Sequence, residues 1–340
     1  MITVYPKAVL VLYHDDFDGI ASAAMVANYL RFNYSIVPSA VRFQSVNFHL
    51  DGVWGQPTLP FARPDEEIVI VDFRYHPSAW MWFDHHPNPF LNEEHRAHYY
   101  AEALPGFKEL NWSEPSCGEL IFKRWCIEQP DIPWHWEELA RAATKIDGAR
   151  YDNPREPYGS LAPAIRIDRA LRHLTEGEKS ELIRRLMTGV LEKGLDFVKK
   201  QAELSYRQDQ ATLDRYGDLV TLEGNVAVVD LVDTDIPFLR YAPYHLYPDA
   251  EYSVSIFPHG SVVGGVSFSI SHSAWKGSSP INLGALVKGN IPGGGGHPFA
   301  AGASFLPADY TSPRAAARLA MRKIIALLQR ASQPVELEPA

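Results

Sequence analysis

Four short segments hold the residues best suited to chemistry: His14-Asp15-Asp16-Phe17-Asp18-Gly19, then Asp72, then Asp84-His85-His86-Pro87, then Asp147-Gly148. Each follows an apolar run or closes a helical pattern. Residues 9–13 precede the first, 68–71 the second, 80–83 the third and 136–146 the fourth. Carboxylates and neutral imidazoles are donors suited to Mn2+, Mg2+, Fe2+ or Zn2+, and no thiolate is among them. Two such cations about 3.5–4 Å apart form a clamp for in-line displacement at phosphorus and need about six protein ligands, one of them bridging. His14, Asp16, Asp18, Asp72, His85 and Asp147 supply that number. Singly, each segment has an ordinary reading: a turn or helix cap, a strand end, a pair of surface histidines, a helix end. Their joint placement at the ends of predicted elements is what points to one metal site.

The elements that must position them are readable. In the first half, strand-like runs at 8–13, 36–43 and 68–71 alternate with a helical pattern at 21–30, which predicts an α/β fold built on a doubly wound parallel sheet. Ligands of such sheets bind beyond the carboxyl ends of the strands, where the first three segments lie. Helices are predicted at 117–127, with Ser116 as N-cap, and at 136–146. A charged, helix-forming stretch then reads as a connector. Beyond it the pattern turns strand-rich, at 226–231, 252–257 and 265–270, before an amphipathic helix at 315–328. The expected organisation is a catalytic domain over 1–174, a helical connector over 175–217, a smaller mixed α/β domain over 218–330 and a tail over 331–340.

The second domain has its own candidate site. Gly293, Gly294, Gly295 and Gly296 precede His297, with Ala300-Ala301-Gly302 after it. A run without side chains lets backbone N–H groups approach an anion. A flexible linker would explain the glycines, but not the His-x-x-Ala-Ala-Gly that follows. Weaker candidates are the aromatics Trp80, Trp82, Trp112, Trp125, Trp134 and Trp136, which suit base stacking or ordinary packing. His49, His76, His95 and His98 are scattered, with His76 placed to support a ligand after Asp72, and Asp230–Asp235 reads as a solvated turn.

Composition bounds the partners. With 340 residues, 46% hydrophobic and 21% charged, the chain is expected to be globular and of two domains. No apolar run approaches the roughly 18 residues of a membrane span. Residues 1–7 lack a signal-peptide pattern and Cys117 and Cys126 read as packing residues, so a cytoplasmic location is expected. The formal net charge of −9 argues against a broad surface tracking long duplexes but not against short nucleotides, whose phosphates bound metals would hold.

In order and spacing the set resembles the DHH phosphoesterase superfamily, in its subfamily with a C-terminal DHHA1 domain, over about residues 8–306. The resemblance implies two divalent cations, Mn2+ foremost, with Mg2+, Fe2+ or Co2+ as alternatives. It implies that His14, Asp16 and Asp72 hold the first and that Asp18, Asp72, His85 and Asp147 hold the second. His86 would face the substrate phosphate, and Asp84 would orient a neighbour. Asp15 and Asp152 are further carboxylates beside the motifs. Gly293 to His297 would form the nucleotide-binding loop. Two departures stand out. Ile20 replaces an aspartate found in many small-nucleotide members, which brings the first motif closer to the RecJ-like exonuclease branch; and Ser271 or His272 stands where the family's second-domain strand has arginine. The expected activity is hydrolysis of short oligonucleotides or of cyclic or bisphosphorylated nucleotides, by metal-activated water. The alternatives are a single-strand exonuclease and a non-catalytic nucleotide-binding protein. The partner is a nucleotide or short single strand, with no membrane; a homodimer stays open.

Overall fold

The structure, a computed structural model, describes residues 8–47, 50–102, 107–128 and 134–331. The expectations for residues 1–7, His49, the Cys126 side chain and the tail from 332 lie outside the described residues. The chain divides into two units, residues 1–150 with 160–206, and residues 151–159 with 207–340.

In the first unit, β1 (Ala8–His14), β2 (Val41–Val46), β3 (Glu66–Val71), β4 (Ala79–Asp84) and β5 (Lys108–Leu110) form one sheet in the order β2-β1-β3-β4-β5. Every neighbouring pair is parallel. Successive side chains of a strand face opposite sides of the sheet. Val9, Val11, Tyr13, Val69, Val71, Met81 and Phe83 accordingly share one core with the helices Phe17–Tyr34, Cys117–Glu128, Trp134–Asp147 and Glu176–Leu186. Leu10, Leu12, Ile68, Ile70 and Trp82 share the other with Trp54, Tyr75 and Tyr99. Burial on both faces is why these strands read as unbroken apolar runs.

Two predicted boundaries move for local reasons. The first helix begins at Phe17 rather than residue 21, because the Asp16 carboxylate accepts the Gly19 N–H at 2.9 Å and caps it. Gly19 is required there: a Cβ would lie 2.1 Å from the His14 carbonyl oxygen. The strand predicted from residue 36 begins only at Val41, since Pro38 opens a 3-10 turn, Pro38–Ala40.

The second unit holds β6 (Val220–Glu223), β7 (Val226–Asp230), β8 (Tyr252–Pro258), β9 (Val266–His272), β10 (Gly295–His297) and β11 (Ala300–Phe305), in the order β10-β11-β9-β8-β7-β6. Only β7 and β8 pair in parallel. The helix Pro313–Ala331 packs Ala317, Met321, Ile324, Ile325 and Leu328 on this sheet. It also neutralises the acidic turn, with Arg318 donating at 2.6 Å to both Asp230 and Asp233. The helix Leu191–Tyr216, with a non-helical Val198, runs from one unit into the other.

His76 is fully buried in the first unit. Its Nε2–H donates to the Gln56 carbonyl oxygen at 2.9 Å, and its Nδ1 accepts the Ser78 N–H at 3.1 Å, so the neutral ring is fully satisfied. Burial lowers its pKa, and the His95 ring lies 5.4 Å away. A lowered folded-state pKa gives stability present above the unfolded value of about 6.5 and lost as pH falls below it. The stability advantage of the wild type over His76→Gln should therefore shrink between pH 7 and pH 5 in urea unfolding. A difference independent of pH would show that the fold does not exclude this proton.

Candidate metal centre

The carboxyl ends of β1, β3 and β4 gather the first three motifs, as the parallel topology dictates. Asp72 follows β3 directly and takes the left-handed conformation, φ 56°, with its N–H bonded to the Phe83 carbonyl oxygen at 2.9 Å. A non-glycine residue there costs about 1 kcal/mol or more, and such outliers cluster at functional sites. Here the turn buries the carboxylate, 1% exposed, among three imidazoles. His85 Nε2 lies 3.4 Å from it, His14 Nδ1 3.7 Å and His86 Nδ1 3.8 Å.

Three groups of possible ligands result: His14 with Asp16 and Asp72; Asp18 with His85 and Asp147; and Asp72 with His85 and His86. All six residues expected as ligands therefore fall into the first two. His14 Nδ1 is 2.8 Å from Asp16, and His85 Nε2 is 3.5 Å from Asp147, the last residue of its helix. The third group also admits His86 as a ligand. Of the outlying carboxylates, Asp15 is paired with Lys179 at 2.6 Å, and Asp152 belongs to the other unit.

Supporting contacts fix these side chains. The buried Asp18 carboxylate accepts the N–H groups of Cys117 and Gly118, at 2.7 and 2.8 Å, at the start of the helix Cys117–Glu128. His85 Nδ1 is 3.3 Å from the Glu114 carbonyl oxygen, which selects the tautomer with an unprotonated Nε2 facing the carboxylates. Asp84, fully buried, accepts the His85 N–H at 2.8 Å and the His86 Nδ1–H at 2.8 Å. The backbone amides holding Asp18 and the Glu114 carbonyl escaped the sequence reading; the N-cap at Ser116 was the one available signal, and it forms, accepting the Glu119 N–H at 3.1 Å.

Do these residues fit divalent cations? Both Asp72 oxygens and His85 Nε2 are buried without a hydrogen-bond partner among the described residues. Such atoms are costly unless something coordinates them. The electrostatics agree. Burial opposes a charge on His14 and His85, yet the carboxylates around them raise the first to about 11 and the second to about 10. Burial and then Asp72 raise Asp147 to about 6, and burial followed by the charges of Asp72 and Asp147 pushes Asp18 upward. Asp72 is held low by His14 and His85 despite its burial. Cations among these carboxylates would relieve their mutual repulsion, and the O/N donor set suits hard or borderline metals.

Beside this cluster lies a pocket of about 270 Å³ lined by Phe73, Arg74, Asp84, His86, Pro87 and Asn88.

The second unit's candidates separate. Gly293–His297 is not a loose loop throughout: Gly295, Gly296 and His297 pair with Gly302, Ala301 and Ala300 as an edge hairpin. Gly296 has φ 152°, and a Cβ there would meet the Ala300 carbonyl oxygen at 2.5 Å. His297 is exposed and His272 is buried on the inward side of β9, with the Phe299 ring lying 5.7 Å from the first and 6.2 Å from the second. Of the tryptophans, Trp82, Trp125 and Trp136 are core residues, while Trp112 and Trp134 are 65% and 74% exposed.

Comparison with solved structures places the architecture. Over 94% of this chain and 99% of the other, it superimposes on a pGpG-specific phosphodiesterase, PggH from Vibrio cholerae, with a TM-score of 0.67 and 19% identity. The DHH domain of a member of the s1p family of ribosomal proteins matches over 95% of this chain and 87% of its own, with a TM-score of 0.58 and 15% identity. The chain carries the DHH/DHHA1 fold. RecJ from Thermus thermophilus in complex with Mn2+ has a TM-score of 0.57 and 15% identity over 97% of this chain, which spans 53% of that one. No family model and no curated protein matches the sequence. Within this fold, the cluster of possible metal ligands lies at the carboxyl edge of the first unit's sheet, and the glycine hairpin forms one edge of the second unit's sheet.

If Asp72 bridges two cations, Asp72→Ala should lose both. Metal analysis after equilibration with Mn2+ should show a drop from two ions to none with the fold intact by circular dichroism. Retention of two ions at unchanged affinity would remove Asp72 from that place.

Proposed function

We propose that the chain is a divalent-cation-dependent phosphodiesterase acting on short oligonucleotides or small nucleotides. The observation that carries this reading is two adjoining ligand groups, His14 with Asp16 and Asp72 and Asp18 with His85 and Asp147, brought together by the 3.4 Å approach of His85 Nε2 to Asp72, with His86 on the wall of the adjoining pocket. His14, Asp16 and Asp72 would hold one cation, and Asp18, Asp72, His85 and Asp147 the other. When bound, such cations supply charge stabilisation at phosphorus and activate the attacking water. The chain's own groups do the rest. Asp18 is anchored by two amides and His85 by a carbonyl, so neither needs to reorganise during the reaction. Asp84 engages His86 Nδ1, which leaves Nε2 to contact a phosphoryl oxygen or to protonate the leaving oxygen. The bare backbone at Gly293 to Gly296, with His297, would take the nucleotide part of the substrate, and His272 would support it through the Phe299 ring. The solved relatives include a protein named as a pGpG-specific phosphodiesterase and a RecJ with Mn2+, which supports the reaction class and favours Mn2+.

A second reading, a single-strand exonuclease, is favoured by the first motif, His-x-Asp-x-Asp-Gly with Ile20 after the glycine. The net charge of −9 weighs toward the short substrates. Turnover with Mn2+ should be measured on dinucleotides, longer single strands, cyclic dinucleotides, 3′-phosphoadenosine 5′-phosphate and pyrophosphate. Preference for the shortest nucleotides is expected. Hydrolysis of pyrophosphate alone would sink the nucleotide reading, and preference for long strands would favour the exonuclease.

Two variants test the division of labour. His86→Ala should keep both metals and lose about 10²–10⁴-fold in kcat, the usual range for a general acid or base. Loss of an ion instead would move His86 among the ligands. At Gly295 an added Cβ meets no atom within 4 Å, so Gly295→Leu leaves the fold room. It should raise KM for nucleotides but not for bis(p-nitrophenyl) phosphate. Equal effects on both would mean that the hairpin shapes the catalytic centre itself.

A further inference from the structure

The first motif offers two adjacent carboxylates, Asp15 and Asp16, and the fold sends them in different directions. The chain turns tightly here: the Asp16 N–H donates to the His14 carbonyl oxygen at 2.9 Å, which makes Asp15 the pivot. Asp16 faces the ligand group, with one oxygen 2.8 Å from His14 Nδ1 and the other accepting the Gly19 N–H at 2.9 Å. The Asp15 carboxylate instead accepts from Lys179 Nζ at 2.6 Å.

Lys179 is an uncommon place for a positive charge. It belongs to the helix Glu176–Leu186, whose Leu182, Ile183 and Leu186 share a core with β1, and it is 7% exposed. A lysine so enclosed needs a partner. The start of the helix fixes where it stands. Thr175 and Glu178 close a capping box, and Glu176 accepts the Ser45 N–H at 3.1 Å and the Ser45 hydroxyl at 2.7 Å. Ser45 is the partner of Tyr13 in the sheet. One helical turn is therefore fastened to the end of β2 and, through Lys179 and Asp15, to the turn after β1. Burial and then the charges of Glu176 and Asp15 raise the pKa of the fully buried Tyr13 phenol, as carboxylates held against the core would.

A lysine this close to the acidic cluster has two opposite consequences. As a bare charge it would repel a cation at His14 and Asp16. As an anchor it would fix the turn from which both ligands project, and supports of that kind are worth about 10–100-fold in metal affinity. The geometry favours the anchor. Asp15 and Glu176, at 2.6 and 3.4 Å from Nζ, neutralise its charge, and neither belongs to the three ligand groups.

Resting on the cation site of the reading above, we propose that Lys179 is a positioning residue for the cation assigned to His14, Asp16 and Asp72. By holding Asp15 aside it fixes the turn that presents His14 and Asp16 together, and it leaves Asp16 as the carboxylate of that pair.

The test reads Mn2+ binding to the full chain by calorimetry and by electron paramagnetic resonance of the bound ion. Lys179→Met should weaken one of the two ions about ten- to a hundredfold and leave the other at its wild-type affinity. Lys179→Arg, which keeps a donor to Asp15, should retain most of the affinity. The Asp15 side chain is 30% exposed, so Asp15→Ala leaves the fold intact. It should weaken the same ion, and the double variant should bind no more weakly than either single one, the signature of two residues acting as a unit. Additive losses, an unchanged affinity in Asp15→Ala, or tighter binding in Lys179→Met, which a bare charge predicts, would overturn the positioning role and leave the phosphodiesterase reading intact. Where Lys179→Met does not fold, Asp15→Ala decides alone, by weakening one ion or failing to. A wild type that binds no Mn2+ would overturn both.

Discussion

Burying an ionised carboxylate with neither oxygen hydrogen-bonded is among the most expensive things a fold can do. Asp72 is in that position, and the first unit is arranged around it. The residue sits at the end of β3, the middle strand of the sheet, and turns back in a left-handed conformation. The imidazoles that face it come from the strands on either side, His14 from β1 and His85 and His86 from the end of β4. Only a parallel sheet delivers all of these at one edge, because only there do adjacent strands end together. The cost of the buried charge, the strain of the turn and the parallel order are thus one design. A cation joining the carboxylates would relieve it.

The groups around this carboxylate are anchored in turn. Asp18 is held by the first amides of a neighbouring helix, His85 by a main-chain carbonyl and His86 by the buried Asp84. Each of these partners is backbone or fully enclosed, so the positions of the donor atoms do not depend on mobile surface side chains. A site that stabilises charge developing at phosphorus gains from dipoles that are already in place.

The second unit solves a different problem. Its hairpin of β10 and β11 brings a main chain without side chains to a sheet edge, and at Gly296 packing leaves no alternative: a Cβ there would lie 2.5 Å from the Ala300 carbonyl oxygen. The exposed His297 and Phe299 and the buried His272 line up rings beside this edge. His272, which with Ser271 is the candidate for the place of an arginine in the resembled family, is a buried imidazole whose pKa burial lowers.

The residue types and their order along the chain were enough to pick out the groups that gather as possible metal ligands, the parallel α/β class and the glycine-rich signature, because each is a local pattern: a carboxylate after an apolar run, alternation of strand and helix, a stretch without side chains. Short elements such as Lys108–Leu110 were invisible, since three residues show no period. Tertiary structure alone decided how Asp18 and Asp147 reach a common imidazole from helices distant in sequence, that Asp15 is drawn to Lys179 while Asp16 turns inward to His14, and that His272 points into the sheet. It also placed Arg74 on the wall of a pocket, where nothing in its neighbours' types announced it. The reason is physical: a sequence specifies which groups are available and which face of an element each occupies, but distances between groups far apart in the chain exist only once the two faces of the sheet are packed.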